Sequence, residues 1–112
     1  MKIKEVTSEH ILFDNGNAIT FEHDRDCCEE NFADFMTLTE NNVNYGFDFN
    51  EKLTFEFVDE MGFRFGSEDS YGVTHWIFIP CYSFQNGYYS NDINILYNGK
   101  QVLHGICEEH LD

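Results

Sequence analysis

Basic residues are scarce in this sequence. Its 112 residues include 6 lysines and arginines against 21 aspartates and glutamates, and the formal net charge is −15. Nucleic acids and anionic membrane surfaces are polyanions and bind proteins largely through lysine and arginine. The composition therefore argues against direct binding to nucleic acid or to a membrane. It is compatible with a basic protein partner, and also with a charged surface that serves only solubility.

Long apolar runs are missing as well. The first ten residues, MKIKEVTSEH, lack the apolar core of a secretory signal, and no stretch is long enough to cross a bilayer as a helix. We therefore expect a cytoplasmic protein whose four cysteines are reduced thiols. No disulfide is expected, because adjacent Cys27 and Cys28 cannot bridge without strain and a Cys81–Cys107 bond would need a special strand register.

Catalytic motifs of recognisable spacing are also absent. The sequence contains neither a glycine-rich phosphate-binding loop nor a GxSxG elbow. A thiol nucleophile at Cys27 would be opposed by the neighbouring carboxylates of Asp24, Asp26 and Glu29, which raise the pKa of a thiol. Nothing in the sequence favours an enzyme, and we expect a non-enzymatic protein.

Aromatic residues are abundant, at 17% of the sequence with 12 phenylalanines. Together with many asparagines and glycines they indicate strands separated by tight turns. Two Asn-Gly pairs, at 15–16 and 98–99, predict two-residue hairpin turns. The first turn would direct Leu12 and Ile19 to the buried face, and the second would pair Ile95 with Val102.

Two further segments have the pattern of strands. The segment LTFEFV (53–58) alternates between apolar and polar residues. The segment HWIFIPCY (75–82) is apolar on both faces, which predicts a central strand with Pro80 at its end or at a bulge.

The stretch FEHDRDCCEENFADFM (21–36) has the pattern of a helix start. Asp26 is suited to be the N-cap, with Glu29 in the first turn. The apolar residues Cys28, Phe32 and Phe35 follow at helical spacing. We therefore predict an α-helix near 27–36 and a single α+β domain over residues 1–112. Its twisted antiparallel sheet would have roughly five to seven strands, with this short helix packed across it.

The same stretch holds a candidate metal site. Its candidate ligands are His23, Asp24, Asp26 and Cys27, all of residue types that ligate metal ions. Their spacing matches neither a zinc motif nor a calcium loop. The alternative is that Asp26 caps the helix and His23 is an ordinary strand residue. No cofactor other than such a metal ion is expected.

Two segments are candidates for binding a partner. Residues 14–51 contain ten acidic residues and one basic residue, Arg25. The segment 80–91 is uncharged and rich in tyrosine, asparagine and serine, a composition that suits adaptable contacts. Its alternative is a strand end whose tyrosines cover the edge of the core. The candidate residues are Glu30, Asp34, Glu40, Tyr82, Tyr88 and Tyr89.

Three blocks of the sequence resemble a family. They are ITFEHDRDCCE, MGFRFG and IPCYSFQNGYYSNDINILYNGK, and the family is a domain of unknown function found in short acidic proteins of Firmicutes, Bacteroidetes and their phages. The resemblance implies no activity. By analogy with small acidic phage proteins, it suggests a phage-derived inhibitor that binds a basic, nucleic-acid-binding host protein. The alternative is a metal- or small-ligand-binding domain centred on HDRDCC.

Overall fold

The computed structural model of the protein describes residues 1–22, 30–40, 45–85 and 92–111. At residues 30, 39, 40, 85 and 109–111 it describes the backbone alone. Within these ranges the chain forms ten β-strands and one 3₁₀ helix. The strands are β1 (Ile3–Val6), β2 (His10–Phe13), β3 (Ala18–Glu22), β4 (Glu30–Ala33), β5 (Leu53–Val58), β6 (Gly62–Asp69), β7 (Gly72–Gln85), β8 (Asp92–Tyr97), β9 (Lys100–Ile106) and β10 (Glu108–Leu111).

The strands make two five-stranded sheets. The first has the order β1-β2-β3-β8-β9. The second has the order β10-β7-β6-β5, with β4 also paired to β7. Among the described strands, every pairing is antiparallel except that of β10 with β7, which is parallel. The 3₁₀ helix, Phe35–Glu40, follows β4. No helix in the described ranges is long and apolar enough to span a membrane.

The predicted α+β fold with a helix near 27–36 is wrong. Strands account for 66% of the structure and helices for 7%, and the described part of the chain has no helix of seven or more residues. Residues 30–33 form β4, in which Asn31 and Ala33 are buried and Phe32 is only partly buried, the two-residue period of a strand. A helix this short is marginal by itself, whereas β4 gains a ladder of hydrogen bonds to β7. The fold is therefore mostly β with two sheets.

The first Asn-Gly hairpin forms with a register one residue away from the predicted one. Ile11 pairs with Ile19, and residues 14–16 make a three-residue loop. Gly16 has a φ of 93°, the left-handed conformation that such loops place at their last residue. Shifting a strand by one residue exchanges its two faces. Ile11 is therefore buried, while Leu12, which was predicted to point inward, is only partly buried.

The second hairpin confirms its predicted turn. Asn98 and Gly99 have φ values of 52° and 81°, as a type I′ turn requires. A bulge in β8 then shifts the register, so Ile95 pairs with Leu103 and not with Val102 as predicted.

Strand β7 is the longest element, with fourteen residues. It continues past Pro80, where the strand was predicted to end or bulge. Up to Pro80 it pairs with β6. Beyond it, residues 82–84 pair with both β4 and β10. Proline has no N–H to donate to a neighbouring strand. Pro80 lies at the position where the pairing of β7 with β6 ends and its pairing with β4 and β10 begins.

One cluster of buried side chains joins the two sheets. Full burial of an aliphatic or aromatic side chain contributes roughly 1.5–3 kcal/mol. The first sheet supplies mainly isoleucines, and the second supplies phenylalanines, isoleucines and a cysteine. Members of the cluster include Ile11, Phe13, Ile19, Ile93 and Ile95 from the first sheet and Phe63, Phe65, Ile77, Ile79 and Cys81 from the second.

Gly105 of β9 lies against Phe57 of β5, where the two sheets approach closely. A Cβ atom at residue 105 would lie 2.5 Å from the Phe57 ring. Because overpacking costs about 1–3 kcal/mol, Gly105→Ala should lower the free energy of unfolding by about that amount in urea denaturation. Adding Phe57→Leu should recover part of the loss. Gly46→Ala is the control, since a Cβ there would meet nothing within 4 Å; equal losses at both glycines would contradict the contact.

Candidate partner-binding face

The outer face of the second sheet carries an exposed row of aromatic side chains. Alternation along β7 buries the odd-numbered residues from 77 to 83, and the even-numbered residues from 76 to 84 point outward. Three of these outward residues keep 36–40% of their surface exposed. We call the following five side chains the aromatic face: Phe32 of β4 and Trp76, Phe78, Tyr82 and Phe84 of β7.

Three rings at one end of the aromatic face pack against one another. Phe32 and Phe84 are stacked, with centroids 5.7 Å apart and planes 15° apart. The ring of Tyr82 lies 5.8 Å from that of Phe32 at a tilt of 50°. Aromatic pairs of this kind add about 0.5–1.5 kcal/mol beyond the area they bury. The three rings therefore hold each other in place as a preformed surface.

Arg64 of β6 occupies the other end of the aromatic face. Its guanidinium carbon lies 4.0 Å from the centroid of the Trp76 ring, a cation–π contact. The same guanidinium donates to Oε1 of Glu56, at 2.7 Å from Nη2 and 3.2 Å from Nε. Strand register explains the arrangement, because Arg64 pairs with Glu56 on one side and Phe78 on the other. The aromatic face therefore already contacts one guanidinium, that of Arg64 in the same chain.

Exposed carboxylates border the aromatic face. Glu108 of β10 lies opposite Tyr82 in the parallel register. Asp59 follows β5 in the turn to β6, and it lines with Glu56 and Arg64 an open depression of about 370 Å³. Since the guanidinium of Arg64 is paired with Glu56, the carboxylates of Asp59 and Glu108 leave the surroundings negatively charged.

A hydrogen bond between two buried polar side chains connects β4 to β7 beneath the aromatic face. The Ser83 hydroxyl donates to Oδ1 of Asn31, and Nδ2 of Asn31 donates to the carbonyl of Asp92 at 2.9 Å. Both side chains are almost fully buried. Leaving such a group unpaired costs about 1–3 kcal/mol. The pair therefore favours the register of β4 in which Phe32 lies opposite Tyr82.

Several shifted pKa values in the described residues have structural causes. The N-terminal ammonium donates to Asp48 at 2.7 Å and lowers the pKa of that carboxyl. A hydrogen bond from Thr54, then one from Lys52, lowers the pKa of Glu68. Burial raises the pKa of Tyr97. These interactions connect the N-terminus to Asp48 and Glu68 to neighbouring residues.

Three of the predicted partner-binding residues lie at or beside the β4–β7 end of the aromatic face. Tyr82 belongs to it, Glu30 begins β4 opposite Phe84, and Asp34 directly follows β4, its backbone N–H donating to the Pro80 carbonyl at 2.8 Å. Glu40 is the last residue of the 3₁₀ helix. Tyr88 and Tyr89 lie outside the described residues.

The predicted metal site lies outside the described residues. Its candidate ligands were His23, Asp24, Asp26 and Cys27. Within the ranges that are described, no three or more His, Cys, Asp or Glu side chains are grouped so that they could hold a metal ion. Metal binding at HDRDCC therefore stays a prediction.

Sequence reasoning missed the exposure of Trp76 and Phe78. The segment HWIFIPCY is apolar on both faces, and this pattern predicts a strand that is covered on both sides. In the described structure the first sheet covers one side of β7, whereas Trp76 and Phe78 on the other side stay exposed. A doubly apolar strand in a chain this short was the available signal that one apolar face stays open.

Comparison of the chain with protein-family models, with curated proteins and with solved structures found no match. The resemblance to a family of short acidic proteins therefore stays a prediction.

The contact between Arg64 and Trp76 can be tested in solution. Arg64→Met keeps an unbranched side chain but removes the guanidinium, so the free energy of unfolding should fall by roughly 0.5–1 kcal/mol. Acrylamide should then quench the fluorescence of Trp76, the single tryptophan, more strongly. Lys52→Met is the control, because it removes a cation paired with Glu68 at 3.2 Å. Unchanged quenching in Arg64→Met would show that the guanidinium does not cover the indole.

Proposed function

We propose that this protein is a non-enzymatic, cytoplasmic interaction protein that binds a basic protein partner through the aromatic face. The observation that carries the proposal is the guanidinium of Arg64 stacked 4.0 Å from the ring centroid of Trp76. Arginine and lysine side chains of a partner can bind the neighbouring rings in the same way, since a cation–π contact is worth about 0.5–2 kcal/mol. The rings add apolar contact area around each cation.

The aromatic composition of the surface suits a binding site. Contiguous exposed apolar patches on soluble proteins mark interaction sites more often than single exposed residues do. Tryptophan and tyrosine are among the residues that dominate binding energy at interfaces, and arginine is a third. The aromatic face contains Trp76, Tyr82 and three phenylalanines, from β7 and its partner β4. Arg64 lies beside it on the adjoining strand β6.

The charge of the chain supports a basic partner. The formal net charge is −15, and Asp59 and Glu108 are exposed beside the aromatic face. A negative electrostatic field raises the rate of association with a positively charged protein and repels negatively charged partners. Nucleic acids and anionic membranes are unfavourable partners for the same reason. The rings would thus provide affinity, and the carboxylates would provide speed and selectivity.

The finer interpretation is that the partner is a nucleic-acid-binding host protein and that binding inhibits it. Its support is the resemblance to short acidic proteins of bacteria and phages, together with the charge. Proteins that bind nucleic acid carry lysine and arginine on the surface that contacts phosphate. In this interpretation the acidic residues Glu30, Asp34 and Glu40 extend the border of the aromatic face.

A synthetic peptide of alternating arginine and leucine tests the proposal by isothermal titration calorimetry. The double variant Trp76→Ser with Phe78→Ser should weaken binding at least about 30-fold, since truncating an aromatic hot-spot residue costs about 2 kcal/mol or more. The matched control is Val102→Ser with Ile106→Ser on β9, whose side chains are exposed to a similar degree, 38% and 42%. Equal losses in the two variants, or no binding to the unmodified protein, would contradict the proposal.

The carboxylates beside the aromatic face should act mainly on the rate of association. Asp59→Asn with Glu108→Gln should slow association and reduce its dependence on salt, with little change in dissociation, because exposed charges chiefly steer the encounter. Stopped-flow measurement of Trp76 fluorescence gives both rates. The control, Glu9→Gln with Glu22→Gln, removes the same charge from the residue before β2 and from the end of β3. Equal slowing in both variants would show that net charge matters and its position does not.

A further inference from the structure

The thiols of Cys81 and Cys107 lie next to each other in the core. Strand β10 runs parallel to β7 with Glu108 opposite Tyr82, so the residues that precede them, Cys107 and Cys81, are neighbours across the two strands. Both side chains are buried, with 1% and 0% of their surface exposed, and both are reduced. The two thiols lie close enough to interact directly. The Cys81 thiol donates its hydrogen to the carbonyl of Ile79 at 3.9 Å.

This is the register that a disulfide between the two residues needs. Neighbouring strands lie about 4.8 Å apart, and bridged cysteines have Cα atoms about 4.4–6.8 Å apart. Both side chains point to the same buried face, so neither strand has to rotate for the sulfur atoms to meet. The sequence alone could not show the pairing, because the two cysteines are far apart in the chain.

We propose that Cys81 and Cys107 form a reversible disulfide that ties β10 to β7 when the protein meets a small-molecule disulfide such as oxidised glutathione. One protein thiolate attacks the small disulfide and releases one small thiol. The second protein thiolate then attacks the mixed disulfide and releases the other small thiol. Two protein thiols are oxidised to one disulfide, and one small disulfide is reduced to two thiols.

The folded core makes this reaction slow. The neighbouring Cys107 thiol and burial both raise the pKa of Cys81, and the thiolate is the form that attacks a disulfide. Strand β10 has four residues and pairs with β7 in the described structure. Opening of so short a strand would expose both thiols. Oxidation should therefore proceed through local opening of β10, and the new bond should then prevent that opening.

The consequence is a protein in which β10 is held to β7 by hydrogen bonds when the thiols are reduced and also by a covalent bond when they are oxidised. This proposal agrees with the expectation that the protein has no disulfide in a reducing cytoplasm, because the bond would form only when an oxidant is present. The inference does not depend on the proposed binding function.

The experiment uses the full chain with Cys27→Ser and Cys28→Ser, which leaves Cys81 and Cys107 as the two thiols. The folded protein is incubated with oxidised glutathione, and a second sample is refolded from urea in the same reagent. Both should lose the mass of two hydrogen atoms, and peptide mapping should find the Cys81–Cys107 bond. The melting temperature should rise by roughly 10 °C, and low urea should speed oxidation of the folded sample.

The further variant Cys107→Ser is the control, since it can form only a glutathione adduct and should show no such rise. A stable mixed disulfide with glutathione in the protein that retains both cysteines would overturn the proposal. So would a bond between two chains, or thiols that stay reduced even after refolding with the oxidant. An intramolecular disulfide that leaves the melting temperature unchanged or lowers it would show that the register does not accommodate the bond.

Discussion

Strand β7 pairs with three other strands, and its alternation decides what each face of the second sheet presents. Because side chains along a strand have a period of two, burying residues 77–83 at odd positions puts Trp76, Phe78 and Tyr82 on the outside. A shift by one residue would exchange the isoleucines of the core with aromatic rings of another shape. The buried hydrogen bond from Ser83 to Asn31 favours the same register for β4. The exposed aromatic face is thus a consequence of how the core is built.

The strands of this fold could largely be predicted from local patterns, and their registers could not. The turn at 98–99 follows from Asn-Gly alone, since its two positive φ values suit those residues. At 15–16 the same dipeptide sits in a three-residue loop, and the burial of Ile11 decides between the two registers. The predicted helix failed for a related reason. Its apolar spacing was real, but pairing of β4 with the distant strand β7 outweighed local propensity.

The candidate site could be predicted even less from sequence, because it is built by tertiary pairing. The Tyr-rich segment pointed to Tyr82, yet the rings that complete the face come from β4 and from the part of β7 before Pro80. Which face of a doubly apolar strand stays open depends on what packs against it. The acidic composition was visible at once. The structure adds that carboxylates border a row of rings, one of which, Trp76, stacks on the guanidinium of Arg64.

The central claim is that the aromatic face is the surface that meets a basic partner. The most direct test is nuclear magnetic resonance of protein labelled with ¹³C at phenylalanine, titrated with the arginine–leucine peptide. The account predicts shifts in the ring signals of Phe32, Phe78 and Phe84 with little change at buried Phe13 and Phe63. Shifts confined to rings away from the outer face of the second sheet, or none at saturating peptide, would contradict it.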